Sequence, residues 1–222
     1  MGGAGRAGVI ISRVQVAELW RYPVKSLRGE SLERAHVLGD GLAGDRLTRV
    51  LGPAGERITG RTARGLLGLQ GGIDASGEPL VDGRPWGSPD ALAAIRSVAG
   101  DWAELAPLGR HFDAVPVHVV SDGAVAALGE DRRRLRPNIV VAGLGGLAER
   151  EWVGRRLLIG SVELVASELC ERCVMTTIDP DTLEVRPDVL RRINSEFGGY
   201  AGVYCEVAVP GEIAVGDPVG VA

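Results

Sequence analysis

The sequence predicts a β-rich α+β fold: a β-barrel or curled sheet with a few helices and a small satellite α/β module. Three observations predict it. Runs rich in β-branched residues outnumber helical ones, and the two do not alternate along the chain, which disfavours a doubly wound parallel sheet. No internal repeat with a period of about 20–50 residues marks a solenoid or propeller. At 222 residues, with 45% hydrophobic and 24% charged residues, the chain has the composition of an ordinary globular protein able to bury its own core.

The elements follow in order. Residues 1–12, MGGAGRAGVIIS, read as a flexible tail: the apolar run Val9–Ile11 is too short for a signal-peptide core, and Arg6 breaks the myristoylation pattern. RVQVAELW, with Val14, Val16 and Leu19, is the first strand. A hairpin turns around Pro53-Ala54-Gly55, and the Gly-rich stretch 70–73 reads as a loop. Ser88-Pro89-Asp90 supplies the cap and first turn of a helix that Gly100 closes. The run 115–121, VPVHVVS, is a strand, and Ser121 can cap a second helix over 122–134, stopped near Pro137. A strand at 138–143 runs into a Gly-rich loop at 141–146. Two hairpins are expected, over 156–166 turning at Gly160-Ser161 and over 205–215 turning at Pro210-Gly211. Between them Pro187-Asp188 opens a short third helix through Ile193, ending before Gly198. Residues 13–46 and 113–222 would form the main barrel, and 47–112 the satellite module.

Charge and cysteine usage narrow the class. A net charge of −4 runs against a general nucleic-acid binder. No apolar run approaches the roughly 20 residues of a membrane-spanning helix, so no membrane partner is expected. Cys170, Cys173 and Cys205 are an odd set that makes no disulfide framework, which favours a reducing, cytoplasmic compartment.

Cys170-Glu171-Arg172-Cys173 is the sharpest local pattern. Structural zinc wants four ligands, and neither Cys205 nor His36, His111 and His118 completes a recognised spacing. A redox pair sits at a helix N-terminus, whereas here the β-branched run Val174–Ile178 and Pro180 imply that no helix follows. Two readings remain: buried inert thiols, or one thiolate on a loop at a strand end with Arg172 favouring its charged form. A second set consists of donors next to Pro or Gly: Tyr22-Pro23-Val24-Lys25-Ser26, Gly44-Asp45-Arg46 and Arg134-Leu135-Arg136-Pro137-Asn138. Donors fixed this way suit a phosphate or another anion. Arg132 and Arg133 read instead as a solvated helix end. Of the 25 basic residues only Lys25 is lysine. In a chain that uses Arg everywhere else, two readings stand: a place where a compact ammonium is needed, or chance survival on the surface. Its removal is expected to leave the ligand-free fold unmoved.

In the order YPVKS, GDR, RPNIVV, W-x-G-x-x-L-x-IG, CxRC-x-x-TT-x-DP, G-x-Y and GxIxVGD, the chain resembles the MOSC-domain family from about residue 14 to 222. It is most similar to the subgroup with an N-terminal MOSC-associated region, which includes the mitochondrial amidoxime-reducing components and their bacterial relatives. The resemblance implies a β-barrel holding the molybdenum cofactor (Mo-molybdopterin), with Cys173 as metal ligand and catalytic thiolate. It implies cofactor contacts from Lys25, Ser26, Arg46, Arg136, Asn138, Arg172 and Tyr204. The chain departs from some members at Ala114 and Val115, where they carry a Thr-Ser pair, and at Glu171, where they carry Ser. The membrane anchor of the mitochondrial members and the pyridoxal-phosphate domain of cofactor sulfurases are both expected to be absent. The activity implied is two-electron removal of oxygen from a small N-oxygenated substrate, fed by a separate electron-donor reductase or electron-transfer protein. The alternatives are a cofactor carrier or sulfur-handling module without turnover, and a protein–protein module that kept only the fold.

Overall fold

A computed structural model describes residues 14–112 and 115–222. The tail call at 1–12 and the departure at Ala114 lie outside the described residues. Eight strands make one sheet: β1 (Gln15–Arg21), β2 (Glu30–Leu32), β3 (Val117–Ser121), β4 (Ile139–Ala142), β5 (Arg156–Ile159), β6 (Val162–Glu171), β7 (Tyr200–Val209) and β8 (Val219–Val221). Their order is β8-β5-β6-β7-β3-β4-β1-β2. All pairs are antiparallel except β3 and β4, which are parallel and joined by a helix, so the sheet is mixed.

The ladder runs open from β8 to β2. The outer edge of β1 is divided: Leu19–Arg21 pairs with β2, while Val16 N donates to Asp217 O (2.9 Å) and Gly216 N to Val16 O (2.8 Å). Beside the sheet lie three short three-stranded sheets, one pairing Gly211–Ala214 with Arg34–Leu38. Among the described residues three α-helices stand beside the sheets: α1 (Pro89–Ala99), α2 (Asp122–Leu128) and α3 (Pro187–Phe197). Among the described residues no helix is long and apolar enough to cross a membrane.

The capping chemistry acts as its residues dictate. Ser88 Oγ accepts from Ala91 N at 3.1 Å with Pro89 at the first helical position, and Ser121 Oγ accepts from Ala124 N at 2.9 Å. Three core clusters follow. One lies on the main sheet around Val16, Leu19, Val119, Ile139, Leu164 and Val203. One joins Val24 and Leu27 to Val50, Leu66, Trp86 and Ile95, so α1 packs against the segment after β1. The third packs α2 and α3 through Leu128, Leu135, Ile193 and Phe197.

Four local expectations change. The second helix ends at Leu128, because Gly129 takes the left-handed conformation (φ 65°) and a separate 3-10 turn begins at Asp131. Gly71–Ile73 is a strand rather than a loop, paired with Pro79–Val81; a Cβ on Gly71 would stand 2.9 Å from Arg28 O, so glycine here serves close backbone approach. The 205–215 hairpin does not form: β3 pairs β7 at 203–205, β6 pairs it along 200–209, and Gly211–Ala214 crosses to Arg34–Leu38. A single 3-10 turn, Val174–Thr177, does follow Cys173; the hydroxyls of Thr176 and Thr177 donate back to Cys173 O and Val174 O and hold it.

Candidate functional site

The sequence-singled segments are brought together by backbone bonds. Arg46 N donates to Tyr22 O (2.8 Å) and Lys25 N to Thr48 O (2.9 Å), zipping the chain after β1 to the GDR segment. Asn138 N donates to His118 O (2.8 Å), and Trp20 N to Asn138 O (2.8 Å), which set the RPN segment beside β1 and β3. Arg172 N donates to Gly199 O (2.8 Å), fixing the chain as it leaves β6. Between these segments lies a cavity of about 300 Å³.

Lys25, Ser26, Arg46, Arg136, Arg172, Cys173 and Tyr204 line it. They come from positions as distant as 25 and 204. The wall also holds Arg57, Thr59, Arg61 and Thr62 from the 47–112 segment, with His118, Leu135, Glu171 and Met175. That is six basic side chains against one carboxylate, Glu171. Lys25 is only 5% exposed, and its Nζ donates to His111 O at 3.1 Å, so the expectation that it lacks a partner within the fold is corrected. Its charge, with Arg49, and above all burial hold the His111 imidazole below its usual range.

Asn138 is not on the wall. It is 1% exposed: its Oδ1 accepts from His118 N (3.1 Å) and Arg46 Nη1 (3.4 Å), and its Nδ2 donates to Trp20 O and Asp45 Oδ2. Asp45, fully buried, accepts from Tyr22 N (2.7 Å) and also pairs with the Arg46 guanidinium. Asn138 and Asp45 therefore brace Arg46 from behind. Arg132 pairs with Glu18 at 2.5 Å, and Arg133 with Asp131 and Asp181, so both are ion-paired rather than simply solvated.

The backbone is strained where the donors are. Among the described residues five non-glycine residues have positive φ; three of them, Ser26 (73°), Arg46 (49°) and Arg136 (52°), are on this wall. Such conformations cost on the order of 1–3 kcal/mol each and persist where surrounding contacts over-determine them.

The two thiols of the CxRC pattern are separated by environment. Cys173 is half-buried on the wall just past β6. Cys170 is fully buried behind it and accepts from Arg172 Nη1 at 2.7 Å. Burial pushes the Cys170 thiol up, but His118, the Arg172 guanidinium, and hydrogen bonds from His118 and Tyr204 outweigh it and bring it down to about 6. Cys170 is thus buried, as one sequence reading had it, but it is not electrostatically inert. Cys205, buried without such neighbours, is pushed up to about 12. Arg172 Nη2 donates to Leu135 O (2.7 Å), while its buried Nε has no partner. His118 and Tyr204 face each other across the β3–β7 ladder with rings 5.6 Å apart.

Sequence reasoning considered His118 only as a zinc ligand and passed over Thr59-Gly60-Arg61-Thr62. The signal was present: two hydroxyls and a guanidinium around a glycine repeat the donor-beside-glycine pattern of the GDR segment.

A profile of the MOSC domain matches residues 111–220, and one of the MOSC N-terminal beta barrel domain matches residues 13–79. The chain belongs to the MOSC family. Mitochondrial amidoxime reducing component 2 of Bos taurus is 27% identical over 92% of this MOSC chain and 82% of its own length. Mitochondrial amidoxime-reducing component 1 of Mus musculus is 28% identical over 92% and 81%. A molybdenum cofactor sulfurase of Anopheles gambiae is 39% identical over 34% of this chain and 10% of its own. The YUAD protein from Bacillus subtilis aligns structurally over 94% of both chains, at 16% identity and a TM-score of 0.47.

Proposed function

We propose that this MOSC chain is a molybdenum-cofactor-dependent reductase of N-oxygenated compounds, drawing electrons from a separate donor protein. The observation that carries the reading is the cavity itself: six basic side chains, three residues of strained backbone and one half-buried thiol, Cys173, line it together. Such a donor set fits a phosphate-bearing group that binds a soft metal through one thiolate. The unpartnered Nε of Arg172 is a buried donor that a bound anion would satisfy.

In this reading Cys173 ligates the metal. Lys25, Ser26, Arg46, Arg136, Arg172 and Tyr204 hold the pterin and its phosphate, and Asn138 acts one step back by bracing Arg46. When bound, the molybdenum centre supplies the two-electron chemistry that removes oxygen from the substrate. The protein supplies the thiolate, the fixed cations and the shielding walls. The rolled sheet is read as the family's barrel, supported by the bonds that tie the β1 edge to residues 216–217. Residues 13–46 with 113–222 are read as its cofactor-binding body, and 47–112 as a satellite that lends Arg57 and Arg61 to the wall.

The test is protein made in a host that synthesises the cofactor. Bound molybdenum together with reduction of a hydroxylamine by an artificial electron donor is expected. The partial match to a cofactor sulfurase keeps a carrier or sulfur-handling module as the second reading; bound cofactor with no turnover of any N-oxygenated compound favours it.

A further inference from the structure

His118 stands on the cavity wall, 4% exposed, and is not among the residues that hold the pterin. Its place is built. Gly202, on the neighbouring strand β7, has φ +82°, and a Cβ there would stand 2.5 Å from His118 Nε2, so glycine leaves the ring its room. The backbone under the ring is pinned, because His118 N donates to Asn138 Oδ1 at 3.1 Å.

The neighbours of the ring make opposite demands on its proton. Nε2 lies 3.3 Å from Ala201 O, which needs an N–H, and 3.4 Å from Arg172 Nη1, a donor that needs a lone pair. Neither form of the imidazole answers both. The same Arg172 Nη1 donates to Cys170 Sγ at 2.7 Å. Cys170 also accepts hydrogen bonds from His118 and Tyr204, so three donors converge on one buried sulfur. All three donors line the cavity, and the sulfur lies behind them. The groups facing the ring are thus Cys170 and Arg172 from the end of β6, and Tyr204 with the Ala201 carbonyl from β7. Lys25, Arg46, Arg57, Arg61, Arg136 and Glu171 are the remaining charged residues of the wall.

We propose that Cys170 and His118 form a proton-delivering couple: the buried thiolate keeps a proton on the imidazole, and the imidazole passes it into the cavity to the oxygen being removed from the substrate. The proposal rests on the reductase reading for the identity of that substrate. For a hydroxylamine the balance is R–NHOH + 2e⁻ + 2H⁺ giving R–NH₂ and H₂O: the N–O bond breaks, and the electrons come from the donor protein. The couple delivers one proton per passage and refills from solvent, so two passages close the balance. A thiolate beside the ring favours its charged, donating form, and a positioned general acid on the cavity wall acts without waiting for a proton from bulk water.

The couple is tested first in cofactor-free protein, by the ¹³Cβ NMR shift of Cys170 against pH. The thiol is expected to ionise near about 6, and His118→Gln to raise that midpoint by about one pH unit or more. Molybdenum-loaded protein is then assayed with a hydroxylamine and an artificial electron donor. His118→Gln is expected to lower kcat about a hundredfold, with KM and molybdenum content unchanged, and to flatten the fall of kcat on the alkaline side. In His118→Ala, which opens room on the wall, added imidazole is expected to restore much of the lost rate. Should the His118 variants not fold, Cys170→Ala keeps the ring but removes the thiolate, and is expected to move the alkaline fall of kcat to lower pH. A Cys170 midpoint unmoved by His118→Gln overturns the proposal, as does a kcat profile equal to wild type in the variant measured. A Cys170 midpoint that does move, in a protein that turns over no N-oxygenated compound, leaves the linked pair standing and sinks the reductase reading instead.

Discussion

Cys170 and Cys173 are three residues apart and have opposite surroundings, so their substitutions should separate cleanly. Cys173→Ser is expected to abolish molybdenum retention while melting like wild type. Cys170→Ser removes a fully buried acceptor of Arg172 and should cost about 1–2 kcal/mol in denaturant unfolding. Loss of metal only in the Cys170 variant would reverse the ligand assignment. The Cys170 thiol is also depressed from an ordinary 9.0 to about 6. The stability that its ionisation contributes is therefore complete above about 9 and lost as pH falls through about 6. Wild type should lose its stability margin over Cys170→Ala between those values, measured by urea midpoints of cofactor-free protein; a pH-independent margin would contradict the ionised thiol. Lys25→Ala leaves the His111 carbonyl without its ammonium and should cost about 1–3 kcal/mol even without cofactor. Lys25→Arg keeps the charge but forces a larger planar group into a site only 5% exposed, and should lower molybdenum occupancy about tenfold. Occupancy equal to wild type would mean that the lone lysine has no special role.

Strand β7 shows how an element carries a site. It runs between β3 and β6, with Tyr204 opposite His118 and Val203 opposite both Val119 and Leu169. Gly202 in its middle has φ +82°, and a Cβ there would stand 2.5 Å from His118 Nε2. Gly202→Ala is therefore strained twice, by backbone and by contact, and should destabilise by more than about 1 kcal/mol. It should also displace His118 from Cys170, so in the Gly202→Ala background the pH-dependent part of the margin over Cys170→Ala should shrink. A pH dependence equal to that of wild type would show that His118 does not set the Cys170 environment.

On the scale of the whole molecule, the cavity lies between parts that share no core cluster: one wall comes from the 57–62 segment, the other from β3, β7 and the chain after β6. A ligand bound there clamps both. Occupancy at 100 times the dissociation constant adds about 2.7 kcal/mol of stability by mass action. Hydrogen exchange at 57–62, 135–136 and 172–175 should accordingly slow together on cofactor loading. Protection confined to one wall would mean that the ligand touches only that side.

Local chemistry made much of this protein legible before any coordinates. Ser88-Pro89, Gly198 and Gly160-Ser161 act through their own neighbours, so the start of α1, the stop of α3 before Gly198 and the β5–β6 turn are readable directly. The motif order pointed to Lys25, Ser26, Arg46, Arg136, Arg172, Cys173 and Tyr204, which line one cavity. What could not be read depends on who packs against whom. Whether Gly211–Ala214 folds back on β7 was decided by its pairing with Arg34–Leu38, near the other end of the chain. Asn138 sits behind the wall because Asp45, Arg46 and His118 use its amide. Cys170 is depressed while Cys205 is raised because only the first meets His118 and Arg172 in a buried place. These are contacts between residues tens of positions apart, and no local window of sequence contains them.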